Sequence, residues 1–277
     1  MGLRINTNVP SLTARRHLGT NNQKQQESLG RLASGSRINK SADDAAGLAI
    51  SEKMRSVIRS TNQAERNAHD GISLIQVAEG GLSEVSNILT RLRELSIQAA
   101  SDTVGEEERS YSNLEYQSLK SEIQRISQST EFNGKKLLNG EGDQYDFQIG
   151  INNNPDEDRL SYDSTVMDSS ANALGIAEIG VSTKQDARES LEALDSAIQS
   201  ISAQRAEIGA MQNRLTSTIQ NLQVYAENMS VAQSRIRDTD YAKETAINAQ
   251  QNILAHAGTS VLSQANAQGQ MALKLLG

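Results

Sequence analysis

Residues 191–236 read LEALDSAIQSISAQRAEIGAMQNRLTSTIQNLQVYAENMSVAQSRI, and within them Leu194, Ile201, Ile208, Leu215, Leu222, Met229 and Ile236 recur at every seventh position. Apolar residues at that spacing line one side of a helix and define a seam. The companion positions Leu191, Ile198, Arg205, Gln212, Ile219, Ala226 and Gln233 are mixed. A two-stranded coil with that second row would be weak, so the helix needs partners that satisfy its polar members, as in a bundle. A second stripe lies upstream. Ile75, Ala78, Leu82, Val85, Leu89, Leu92 and Ala99 keep the three-four alternation, and Ile88 and Leu95 widen it toward a bundle face. The two stripes predict two long helices seeking each other, and roughly 50 paired residues at about 1.5 Å each make a rod on the order of 75 Å long.

Outward from these stripes, local signals mark the other elements. Ser41 stands three residues before Asp44, with Asp43 between, which predicts a capped helix start after a bend at Ser34-Gly35-Ser36. Thr103 followed by Glu106, Glu107 and Glu108 predicts a third helix, carrying Tyr111, Leu114, Ile123 and Ile126 and stopping near Asn133-Gly134. From Asn139 to about Thr183 the helical period is lost. There, residues 145–149 and 159–162 alternate like strands of a hairpin turning at 152–155. Asp156-Glu157-Asp158 reads as a solvated loop rather than a metal site, because the calcium-loop spacing with its mid-loop glycine is missing. The expected fold is mainly α: a long antiparallel coiled-coil or helical-bundle rod with a small β-hairpin region. Its segments are 1–40, 41–138, 139–183, 184–240 and 241–277.

The ends differ from the middle. Between Tyr241 and Gly277 the only charged side chains are Lys243, Glu244 and Lys274, and residues 1–33 are rich in Asn, Gln, Thr and Leu. A solvated surface helix carries more charge, whereas a helix packed on all sides by like neighbours need not. The ends are therefore expected to be unstructured or loosely helical in the free subunit and to order within an assembly.

Several function classes are excluded. The net charge of −7 comes with no basic stripe and only 3% aromatics, so nucleic acid is not an expected partner. No run of eighteen apolar residues occurs, so no membrane span is expected, and the first residues lack the apolar core of a cleaved signal peptide. There is no cysteine, and His17, His69 and His256 lie far apart in sequence. No metalloprotease, nucleophile-elbow or phosphate-loop motif appears, so no catalytic, cofactor or metal site is predicted.

Several literal stretches resemble bacterial flagellins. They include residues 5–8, Leu29-Gly30-Arg31-Leu32-Ala33-Ser34-Gly35-Ser36-Arg37-Ile38-Asn39, residues 41–50 and Asn67-Ala68-His69-Asp70-Gly71-Ile72. Others are Phe132-Asn133-Gly134, Gln212-Asn213-Arg214, Ser234-Arg235-Ile236 with Asp240-Tyr241-Ala242, and residues 257–262. The resemblance implies a short form without the variable outer domains, a structural subunit that self-assembles into the flagellar filament. Residues 1–40 and 241–277 would be the paired core helices, with Ile5, Val9, Leu12, Leu254, Val261, Leu262 and Leu273 as polymer contacts. It further implies export without cleavage to an extracellular filament, an export chaperone on the C-terminal helices, and hook-associated and cap proteins as partners. Arg91, Leu95 and Glu115 resemble the surface by which animal Toll-like receptors detect flagellins. Arg237 departs from the family pattern, standing where such chains often carry an acidic residue, which tells against one lateral ion pair.

Overall fold

A computed structural model of the chain describes residues 7–274, with side chains through 267. In chain order the elements are α1 (Val9–Ser34), α2 (Ala45–Ala99), α3 (Glu106–Ser129), β1 (Glu131–Phe132), β2 (Lys135–Lys136), β3 (Gln144–Gln148), α4 (Pro155–Asp158), β4 (Arg159–Asp163), α5 (Lys184–Arg237) and α6 (Tyr241–Lys274). They form two compact units: residues 57–227, and residues 1–56 together with 228–277. These boundaries fall inside α2 and α5 rather than at the bends near 40 and 240.

In the unit of residues 57–227, α2 and α5 run antiparallel. Gln223 donates to Glu65, Arg93 to Asp195 and Ser190 to Ser96, so partners descend α5 as they climb α2. The upstream stripe from Ile75 to Ala99 is buried along its length, together with Ile123 and Ile126 of α3. Burying such aliphatic side chains contributes ~1.5–3 kcal/mol each before chain entropy is subtracted.

The turn into α3 is closed by charge. The Glu108 carboxylate accepts the Gly105 N–H, and three first-turn glutamates lie at the positive end of the helix dipole. Arg109, nearly buried, donates to the carbonyls of Ala99 and Ser101 and so satisfies the end of α2. The cap is thus Gly105 rather than Thr103.

α3 ends at Ser129, earlier than expected, where Thr130 turns its hydroxyl back onto the Ile126 carbonyl. Asn133 (φ 50) and Gly134 (φ 76) then form the two-residue turn between β1 and β2, both in the left-handed region that such a tight hairpin demands. β3 pairs with β4 in the register Gln144↔Asp163 to Gln148↔Arg159, with the Tyr145 and Tyr162 rings stacked at 6.3 Å. Leu137, Leu138, Leu160, Tyr162, Met167, Leu174, Ile176 and Val181 share one core with the helices. The segment 139–183 is therefore bundle core as much as hairpin.

Asp158 corrects the expectation of a solvated loop. It is buried, and its carboxylate accepts the N–H groups of Asn152 and Asn154. A carboxylate with two main-chain donors can organise a loop without any metal.

In the other unit, α1 lies antiparallel to α6. Asn8 caps α1 by accepting the Ser11 N–H, with Pro10 in the first turn, and Gly35 ends it at φ 68. α2 is capped by Asp44, which accepts the Gly47 N–H, rather than by Ser41. Asp43 holds the preceding loop through the N–H groups of Lys40 and Asn39, and those bonds keep its carboxyl below the usual range. Within the described residues, α1 and α6 are regular helices.

Candidate polymer interface

The α1–α6 pair is built the opposite way round from the core of the other unit. Many of its contacts are polar. Asn8 donates to the Ala265 carbonyl at 2.9 Å, Asn21 to that of Gln251 at 2.8 Å, Ser11 to Asn266 and Gln25 to Asn252. Ser28 reaches the Glu244 carbonyl, and the Tyr241 hydroxyl reaches that of Leu32 at 2.7 Å. Several of its large apolar side chains face outward, while Leu18, Leu32 and Ile247 are half-buried. Val9 is 55% exposed, Leu12 56%, Leu254 49% and Val261 58%, with Ile253 and Leu29 also out, while Leu262 is half-buried. Ile5 and the side chain of Leu273 lie outside the described residues. Single exposed aliphatics are ordinary on a protein surface, but a helix pair that presents several leucines, isoleucines and valines along its length has a surface suited to a partner.

The sequence reading missed the polar ladder. Asn21, Gln25, Ser28 and Leu32 keep a four-three-four spacing, which is a seam signal, but hydropathy periodicity passes over it because three of the four are polar.

Along α5, Leu194, Ile201, Ile208 and Leu215 are fully buried, whereas Leu222, Met229 and Ile236 are half-buried. The hairpin explains the change within the unit of residues 57–227. It reaches along α2 as far as Asn67, which donates to the Gln148 carbonyl, while Leu222 lies level with Glu65, past the end of that cover. Arg91 and Glu115 are paired at 2.9 Å on the surface, and the Arg91 guanidinium is held above its ordinary value by hydrogen bonds to Glu94 and then Glu115. Leu95 is a correction: it is 2% exposed, on the core face of α2 one turn beyond Leu92, and belongs to no surface. Arg237 forms an ion pair within the chain, with Glu52 at 2.5 Å.

His17, His69 and His256 are all exposed, and the described residues contain no group of three or more histidines or carboxylates placed to hold a metal. No helix among them is long and apolar enough to cross a membrane.

A helical bundle and a helix pair with several exposed aliphatics are the architecture of a structural subunit. Comparison with known proteins identifies the family. Residues 5–143 match the family model of the bacterial flagellin N-terminal helical region, and residues 191–276 that of the C-terminal helical region. A flagellin of Halalkalibacterium halodurans is 44% identical over 98% of this chain and 99% of its own length. That of Bacillus subtilis is 42% identical over 99% and 100%, and a 33 kDa flagellar filament core protein of Treponema phagedenis 41% identical over 98% and 99%. The crystal structure of Bacillus cereus flagellin superposes with a TM-score of 0.51 at 29% identity, covering 61% of this chain and 94% of that one.

The chain belongs to the bacterial flagellin family, as a short form without outer domains. It is a structural filament subunit and not an enzyme.

Proposed function

We propose that copies of this chain pack into the filament through the outward faces of α1 and α6, with Val9, Leu12, Leu254, Val261 and Leu262 buried between copies, and Ile5 and Leu273 joining them. The observation that carries this reading is the polar seam of the pair set against its exposed aliphatics. Burial of those side chains becomes available only on assembly, and it offsets the entropy of ordering and docking the ends. The seam residues Leu194 to Ile236 hold each subunit's own bundle. Their last three, less covered members are further surface for neighbours.

The same reading includes export without cleavage to an extracellular filament, a chaperone covering α6 beforehand, and hook-associated and cap proteins at the polymer ends. An animal Toll-like receptor would meet the exposed Arg91–Glu115 pair without Leu95.

The test is seeded assembly followed by electron microscopy. A chain lacking residues 241–277, and the full chain with Leu254→Asp, are each expected to yield no filaments while keeping the helicity of the remaining bundle, because a carboxylate cannot be buried unpaired at modest cost. Normal filaments from either one overturn the reading.

A further inference from the structure

The α1–α6 seam contains little that fixes its own register. Asn21 and Gln25 face Gln251 and Asn252, and Arg31 stands 3.8 Å from the buried Glu244. Glu244 Oε1, Asn248 Nδ2 and Gln251 Oε1 are buried without a hydrogen-bond partner. Asn8 and Asn21 reach main-chain carbonyls, which recur at every residue, and Gln25 and Ser11 reach amides of the Asn and Gln series that line α6. A slide of one turn, about 5.4 Å, therefore exchanges one set of such bonds for another. Steric keying is local: Leu18 sits over Gly258, where an added Cβ would stand 3.3 Å from its methyl.

The closed end is different. The crossings from α1 to α2 and from α5 to α6 leave the helix at one level and are tied across. Ser36 and Asp238 form an antiparallel bridge, Arg37 N donates to Arg237 O at 2.6 Å, and Thr239 N donates to Gly35 O at 2.9 Å. The Arg37 guanidinium reaches the Ile236 carbonyl at 2.7 Å. Arg237 reaches Glu52 on α2, and Gln233 reaches the Ser51 carbonyl. One cluster thus joins the ends of all four helices, and the side-chain bonds of Arg37, Gln233 and Arg237 pin its main-chain bridge at one level.

We propose that this clasp sets the register in which α6 meets α1, with Arg237 as its positioning residue. The charge pair with Glu52 anchors the end of α5 to α2, and the bridge passes that placement to the first turn of α6. The inference rests on the polymer reading above. A slide of one turn would carry Leu254 and Val261 about 5.4 Å along Val9 and Leu12, altering the composite face that a second copy meets.

The chain contains no cysteine, so engineered pairs report register without background. Asn21→Cys with Gln251→Cys reads the observed register, and Asn21→Cys with Asn248→Cys or Ala255→Cys reads a slide of one turn either way. Intramolecular disulfide yield is measured in the soluble full-length chain and again in seeded filaments. With the clasp intact the observed pair is expected to exceed each slid pair by about fivefold, since a disulfide tolerates Cα separations only up to ~7 Å. Arg237→Ala should lower that ratio at least about threefold, Arg37→Ala with Arg237→Ala should lower it further, and Arg237→Lys should restore most of it. An unchanged ratio in the double variant, or no preference with the clasp intact, overturns the proposal. Because the ratio is read within one chain, it is independent of whether Leu254 and Val261 contact a neighbour.

Discussion

Replacing Leu254 and Val261 together by alanine separates the polymer from the fold. In the subunit these side chains are 49% and 58% exposed, so about half of each is left for a neighbour to cover. Full burial of such a side chain is worth ~1.5–3 kcal/mol, so the unburied halves amount to ~1 kcal/mol apiece and about 2 kcal/mol together. At 1.4 kcal/mol per factor of ten, that is roughly a thirtyfold rise in the concentration needed to sustain filaments. Alanine keeps both positions helical, and the halves already covered within the subunit are worth a comparable amount, so the free energy of urea unfolding of the soluble subunit should fall by no more than about 2 kcal/mol. The assay is sedimentation of seeded filaments over a concentration series, with unfolding followed in parallel by circular dichroism. A critical concentration within a factor of about two of the parent, or loss of the folded subunit itself, would refute the reasoning.

Three further outcomes are expected. Leu89→Ala, at a fully buried position of α2, should destabilise the subunit by ~2–5 kcal/mol in urea titrations, far more than any exposed α6 substitution. Asp158→Ala should cost about 1–3 kcal/mol and speed hydrogen exchange at the Asn152 and Asn154 amides, which lose their acceptor. Burial pushes the Tyr162 hydroxyl, which donates to the Leu137 carbonyl, well above the ordinary tyrosine range. Its contribution is therefore complete below the unfolded-chain value near ~10 and declines above it, as the unfolded state releases the proton first. Tyrosinate absorbance and helicity, followed together in an alkaline titration, should change in concert, and Tyr162→Phe should lessen that coupling.

The bundle was legible because its signal is local. The stripe from Ile75 to Ala99 and the first four seam residues of α5 are buried as their spacing implies, since a period near 3.6 places them on one face whatever lies opposite. The caps were read less well. Ser41 and Thr103 lost to Asp44 and Gly105 because several oxygens or turns compete over three or four residues, and the loop geometry selects among them. The hairpin strands were placed within a residue or so, yet their burial against the helices was not, because contacts between residues distant in sequence leave no periodic trace.

The sequence by itself determined which segments are helical and which face of the bundle helices is apolar. The tertiary structure alone decided that Leu95 is interior, that Asp158 is buried, and that α1 meets α6 through a seam with many polar bonds while Val9, Leu12, Leu254 and Val261 face out. Periodicity describes one helix about its own axis, and the choice of which face meets which neighbour belongs to pairs of elements far apart along the chain.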